Sequence, residues 1–131
     1  MSRTHQEIFE RYVYAGAISR DPDAVAAMFT PDGIFEAPLV PDGHPLPRRL
    51  EGREAIRAGV GAFHTYPAFQ GAVDVARSRY VLHETADPDV FIAETDTAFA
   101  AADGDPATVS LVQIFRIRDG AIALLRDYFA A

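Results

Sequence analysis

An α+β fold is predicted for this chain because its helical and strand-like patterns are segregated along the sequence. Helical periodicity dominates the first half, and apolar runs broken by Asp/Gly/Pro turns fill the second. Helices followed by consecutive strands pack on one side of an antiparallel sheet, whereas alternation would imply parallel βαβ units.

The first helix is expected over Thr4 to Ser19, where Ile8, Phe9, Tyr12, Ala15 and Gly16 recur at helical spacing with Glu7, Glu10 and Arg11 between them. Asp21 can cap a second helix, and Pro22 suits its first turn because no N–H is lost there. Val25, Met28 and Phe29 form its apolar side. Pro31-Asp32-Gly33 reads as a turn and Ile34–Ala37 as a short strand. Residues 38–50 carry Pro38, Pro41, Pro45, Pro47 and Gly43, an irregular loop long enough to form a pocket rim or lid. Glu51 to Phe63 returns to helical period, with Ile56, Val60 and Phe63 on one side. Four strand-like runs follow, Ala72–Glu84, Val90–Ala100, Ala107–Ile117 and Ala121–Phe129. They are punctuated by Asp87-Pro88-Asp89, Asp103-Gly104-Asp105 and Asp119-Gly120.

The 131 residues suit one domain over 1–131, and a hydrophobic content of 49% supplies a core. The net charge of -7 disfavours nucleic acid and anionic membrane surfaces as partners, since both repel an acidic protein. With no cysteine, disulfides, thiolate metal sites and a cysteine nucleophile are excluded. No apolar run reaches the length of a membrane span, and Met-Ser-Arg-Thr-His-Gln-Glu lacks the apolar centre of a signal peptide. A cytoplasmic location is expected. The four histidines show no metal-ligand spacing, and no glycine-rich phosphate loop is present, so neither a metal nor another cofactor is expected.

The segments Phe29-Thr-Pro-Asp-Gly-Ile-Phe-Glu-Ala-Pro38, Glu51-Gly-Arg-Glu-Ala-Ile56, Phe115-Arg-Ile-Arg-Asp-Gly-Ala-Ile122 and Arg126-Asp-Tyr-Phe129 resemble the SnoaL-like superfamily. That group also holds nuclear transport factor two, ketosteroid isomerase, limonene-type epoxide hydrolase and the phenazine-biosynthesis A/B proteins. The resemblance implies a cone-shaped α+β barrel, with three N-terminal helices on a curved antiparallel sheet around one pocket. It is specific for fold and poor for reaction, because one fold hosts many chemistries. Ala37 stands where ketosteroid isomerases carry a basic Asp, and Gln113 aligns with the acid of the polyketide cyclases. Asp96 and Asp127 match the two carboxylates of the epoxide hydrolases, but Glu94 replaces the arginine between them. The phenazine A/B pattern resembles Asp87-Pro-Asp-Val-Phe-Ile-Ala-Glu-Thr-Asp96, with an acidic residue where Asp127 stands. The histidine those proteins carry on a helix aligns near Gly59, with His64 a turn further on.

Strand alternation puts Glu94 and Asp96 on one face with Ile92 and Ala98. If that face lines the cone, burial raises their pKa values and makes proton donors or acceptors near neutral pH; if it meets water, they are ordinary surface acids. The face of Asp127 depends on the Arg118-Asp119-Gly120 turn. A type I turn with a bulge places Asp127 with Leu111, Gln113 and Leu125, whereas a strict two-residue turn flips it outward. With both acids inward they flank Gln113 and form an acid–base pair, because two carboxyls in one dry site push their pKa values apart.

Tyr12 is a candidate donor to a substrate oxygen, or a core tyrosine. His64, at the end of the stripe carrying Phe63, is a candidate base at the pocket mouth, or a cap. The catalytic candidates are therefore Asp127 and Asp96, and the pocket candidates are Tyr12, Glu94, Gln113, His64, Leu111 and Phe63. The expected function is a cofactor-independent isomerase- or cyclase-type enzyme acting on a small apolar oxygenated molecule of polyketide or other secondary metabolism. Epoxide hydrolysis and non-catalytic small-molecule binding are the alternatives. A homodimer is expected, on the premise that Ala93, Thr95, Thr97 and Phe99 form an apolar outer face that needs cover.

Overall fold

A computed structural model describes residues 3–65, 72–100 and 107–130. The Asp103-Gly104-Asp105 turn lies outside the described residues. Helix α1 spans His5–Val13 and continues without a break into a widened π turn, Tyr14–Ile18. A reciprocal box caps its start: Thr4 Oγ1 accepts from the Glu7 N–H (3.1 Å), and Glu7 Oε1 accepts from the Thr4 N–H (3.2 Å). Helix α2 spans Pro22–Ala27 behind its Asp21 cap, and α3 spans Arg53–His64.

The strands are β1 Phe29–Glu36, β2 Arg49–Glu51, β3 Ala72–Val73, β4 Arg79–Glu84, β5 Val90–Ala100, β6 Ala107–Arg118 and β7 Ala121–Phe129. They form one sheet in the order β2-β1-β7-β6-β5-β3, with β4 also paired to β5. The architecture is α+β with three helices on a curved sheet, as expected. The sheet, however, is mixed and open: β1 runs parallel to β7, and the order does not close on itself. The expected first strand is longer than its sequence signal, because Pro31-Asp32-Gly33 forms an irregularity inside β1 rather than a turn before it. The chain doubles back there so tightly that a Cβ on Gly33 would lie 2.8 Å from the Phe29 Cβ. The expected strand Ala72–Glu84 is broken by a 3-10 turn at Val75–Arg77.

The turn after β6 decides the face of Asp127. Asp119 (φ 52) and Gly120 (φ 78) make a strict two-residue turn pairing Arg118 with Ala121. Two positive φ values are what a hairpin of this twist requires, and Asp-Gly supplies them at low cost. Alone, that register would point Asp127 outward. A bulge restores parity: Ile117 pairs with Ile122 but Arg116 with Leu124, so Ala123 is the extra residue and Gln113 ends opposite Asp127. The expected inward face is reached, with the extra residue at Ala123 in β7 and not in the turn itself.

Phe9, Phe29, Phe91, Phe115, Ile122 and Leu125 fill the core between the helices and the closed end of the concave sheet face. Phe91 and Phe115 stack at 4.7 Å, and Phe9 and Tyr12 meet the Phe115 ring edge-on at 6.0 and 5.5 Å. Arg53 Nε donates to the Phe29 carbonyl (2.9 Å) and ties α3 to β1, while Glu36 pairs with Arg49 and Arg126. No helix among the described residues is long and apolar enough to cross a membrane.

Candidate active site

Beyond the aromatic core the helices and the concave face part, leaving a cavity of about 200 Å³. Its sheet wall comes from the alternation of β5, β6 and β7. Cross-strand rows Ala93–Gln113–Asp127, Thr95–Leu111–Phe129 and Thr97–Val109 follow one another along the inner face. Tyr12, Val13, Gly16, Ala17 and Arg20 cover it from the first helix and its widened turn, Val60, Phe63 and His64 from α3, and Leu46 from the proline-rich loop. The lining is mainly apolar, with a few polar groups.

Asp127 is the buried acid among them, with 9% of its surface exposed. Gln113 Nε2 donates to its Oδ2 at 3.2 Å, and Oδ1 is buried with no partner. The neighbouring Arg126 lies on the other face and pairs with Glu36 at 3.3 Å, so it does not neutralise Asp127. Burial therefore pushes the Asp127 carboxyl up from 3.8 to about 7, with the Gln113 hydrogen bond pulling weakly the other way. Burial, and then the negative charge of Asp127, raise the Tyr12 hydroxyl well above its ordinary value, so it keeps its proton as a hydrogen-bond donor. His64 is half-buried; burial first, then the charge of Arg20, lower its pKa, against a hydrogen bond to the Arg20 backbone.

Of the residues singled out in the sequence, Tyr12, Phe63, His64, Leu111, Gln113 and Asp127 line this cavity. Asp96 and Glu94 do not. They sit on the outer face of β5, where Ser110 Oγ donates to Asp96 Oδ1 (2.6 Å) and His83 Nε2 lies 3.1 Å from Glu94 Oε2. The expected Asp96–Asp127 acid pair is therefore corrected to Asp127 alone. The physical reason is the difference in burial cost: the inner positions of β5 carry Thr95 and Thr97, whose hydroxyls cost far less to enclose than two carboxylates. The same parity corrects the dimer argument, because Ala93, Thr95, Thr97 and Phe99 face the interior and not a partner. The outer face carries Val81, Ile92, Val112 and Ile114 among charged residues.

Two expectations follow from this placement. Replacing Asp96 with Asn should leave stability within about 0.5 kcal/mol, as for other exposed positions, and should leave activity unchanged; urea unfolding and rate assays check both. Thr95 Oγ1 is buried without a partner. The Thr95→Val protein, close in shape, should gain about 1 kcal/mol in ligand-free urea unfolding. Arg20, Leu46 and the pocket face of the widened turn were not singled out in the sequence. Their signals, a non-glycine residue between two helices and a leucine in a proline-rich loop, carry no periodicity.

The model of the SnoaL-like domain family matches residues 9–125 of this chain. The chain belongs to the SnoaL-like family. An uncharacterized PhzA/B-like protein of Pseudomonas aeruginosa is 33% identical over 103 residues, 78% of this chain and 67% of that protein. Among solved structures, a protein of Bacillus subtilis proposed to be an isomerase superposes with TM-score 0.74 at 23% identity, covering 95% of this chain and 84% of its own. A limonene-epoxide-hydrolase-like enzyme of Mycobacterium tuberculosis gives TM-score 0.57 at 22% identity, covering 94% and 80%. At these identities the structural likenesses establish the fold shared by this SnoaL-like protein and not its reaction.

Proposed function

We propose that this SnoaL-like protein is a cofactor-independent enzyme of isomerase or cyclase type that moves a proton on a small, largely apolar, oxygenated molecule. The observation that carries the reading is Asp127, a carboxyl group enclosed at one end of an apolar cavity with one oxygen unpaired. A base works best when its pKa lies near the working pH, and burial puts Asp127 at about 7. In its ionised form Asp127 takes a proton from a carbon next to a carbonyl. The Tyr12 hydroxyl donates to the carbonyl oxygen as charge develops there. The Gln113 amide holds Oδ2 and orients the carboxyl group, which then returns the proton to another carbon, or, where the enolate adds to a carbonyl carbon of the same molecule and that C=O π bond opens, to the alkoxide so formed. A dry, apolar lining protects such an enolate from bulk water.

Epoxide hydrolysis is less well supported. The second carboxylate that the resemblance assigns to that reaction is Asp96, which points to solvent. Enolisable bicyclic ketones such as 1-tetralone, incubated in deuterium oxide, test the proposal. Enzyme-dependent deuterium at the α carbon supports it. No exchange above buffer, together with a singly labelled diol formed from limonene oxide in heavy-oxygen water, would favour the hydrolase. Binding without either reaction would favour a non-catalytic module.

A further inference from the structure

Thr95 lines the cavity, and its Oγ1 is buried with no hydrogen-bond partner. The proposed reaction makes no use of it. Native proteins satisfy nearly all buried polar atoms, so an orphan in a cavity wall calls for a partner from outside the chain.

The neighbours of Thr95 explain why the protein supplies none. Across the sheet it stands between Leu111, which is apolar, and Tyr80. The Tyr80 hydroxyl is already committed, donating to Glu10 Oε1 at 2.7 Å. Along its own strand the next residues on the same face are Ala93 and Thr97, each about 7 Å away. A valine would fill the same space without a polar atom to enclose. The hydroxyl is therefore a cost to the empty protein. No hydrogen bond holds χ1 either, so a turn of about 120° between staggered wells exchanges Oγ1 with Cγ2 and presents the hydroxyl to a bound molecule.

The register fixes where such a contact falls relative to Asp127. Asp127 is opposite Gln113, and Gln113 is opposite Ala93, so Thr95 lies two strands across and one inner-face position along. With strands about 4.8 Å apart and a rise of about 3.4 Å per residue, the two Cα atoms are about 12 Å apart. Leu111 and Phe129 line the cavity between them. After the reach of the two side chains, that span suits an apolar fused bicycle with an oxygen at its far end.

A threonine hydroxyl both donates and accepts, so it can pair with a hydroxyl or a carbonyl oxygen. We infer that the molecule bound here carries a second oxygen, as hydroxyl or carbonyl, at the end of its ring system remote from the carbon served by Asp127, and that the Thr95 hydroxyl bonds to it. The inference deepens the proposed function and rests on it for the orientation of the molecule. It makes Thr95 a specificity-determining residue.

Calorimetric titration with 6-hydroxy-1-tetralone, its phenol kept protonated, and 6-methyl-1-tetralone tests it. The 6 position is at the opposite end of the bicycle from the enolisable carbon, and hydroxyl and methyl are close in size. The readout is the ratio of the two affinities; compared between protein variants, it cancels the different hydrophobicities of the ligands. Thr95→Val leaves the ligand hydroxyl buried without a partner, so the ratio should move at least about fivefold against the hydroxy ketone. Thr95→Ser retains a hydroxyl and should retain the wild-type ratio. An unchanged ratio in Thr95→Val, a serine variant that behaves like the valine one, or no binding of either ketone would overturn the inference. Asp127→Asn separates this result from the proposed function, because that variant should lose deuterium exchange on both ketones yet keep the wild-type ratio. A Thr95-dependent ratio in a wild type that exchanges no deuterium would support the Thr95 contact and overturn the proposed reaction alone.

Discussion

Replacing Asp127 with Asn is expected to lower turnover by about 10²–10⁴-fold, the usual loss when a positioned general base is removed. The same substitution is expected to stabilise the protein at alkaline pH. The carboxyl is held at about 7 in the folded chain against an ordinary 3.8. Below about pH 4 both folded and unfolded states hold the proton, and the group favours neither. As pH rises to 7 the unfolded chain releases it while the folded chain retains it, so stability falls across that window and is level above it. The full difference is at most about 4 kcal/mol. Urea unfolding at pH 4 and pH 8 should therefore show a drop in the wild type that Asp127→Asn lacks. A variant that is less active yet more stable separates a site held for function from one held for packing.

Phe115→Ala is expected to cost about 3–5 kcal/mol, the largest single loss of stability foreseen in this core. Phe115 is fully buried, stacks on Phe91 at 4.7 Å and meets Phe9 and Tyr12 at ring edges. Its removal opens a void beside the Tyr12 ring, so the Tyr12 hydroxyl loses its fixed aim. The variant should unfold at lower urea and, where folded, should show a reduced turnover number. An unfolding midpoint equal to that of the wild type would show that the aromatic cluster does not anchor the sheet to the first helix.

The three helices and the limits of β5 and β7 were legible because each rests on local rules: helical periodicity at Ile8, Phe9 and Tyr12 and at Ile56, Val60 and Phe63, a cap and proline at Asp21-Pro22, and Asp/Gly turns between apolar runs. The inward face of Asp127 was legible only as a conditional, since it depends on the parity of one hairpin. The Asp-Gly turn and the bulge at Ala123 each shift that parity, and only the turn has a sequence signal. The error at Asp96 and Glu94 has a similar origin. Both faces of β5 carry apolar residues, Ile92 and Ala98 on one side and Phe91, Ala93 and Phe99 on the other. Period two therefore does not say which face is buried. The two phenylalanines were the better guide, because bulky aromatic residues are harder to leave in water than acids are to expose. The parallel pairing of β1 with β7 joins segments about ninety residues apart, as Ile34↔Leu124 illustrates, and no local pattern encodes it.

Carbon-13 NMR titration of the side-chain carboxyl of Asp127 in the intact, ligand-free protein is the decisive measurement. Protonation with a midpoint near pH 7 is the predicted result. A midpoint near 4, the value of an ordinary hydrated aspartate, would mean that water reaches the carboxyl freely and that the cavity holds no base suited to neutral pH.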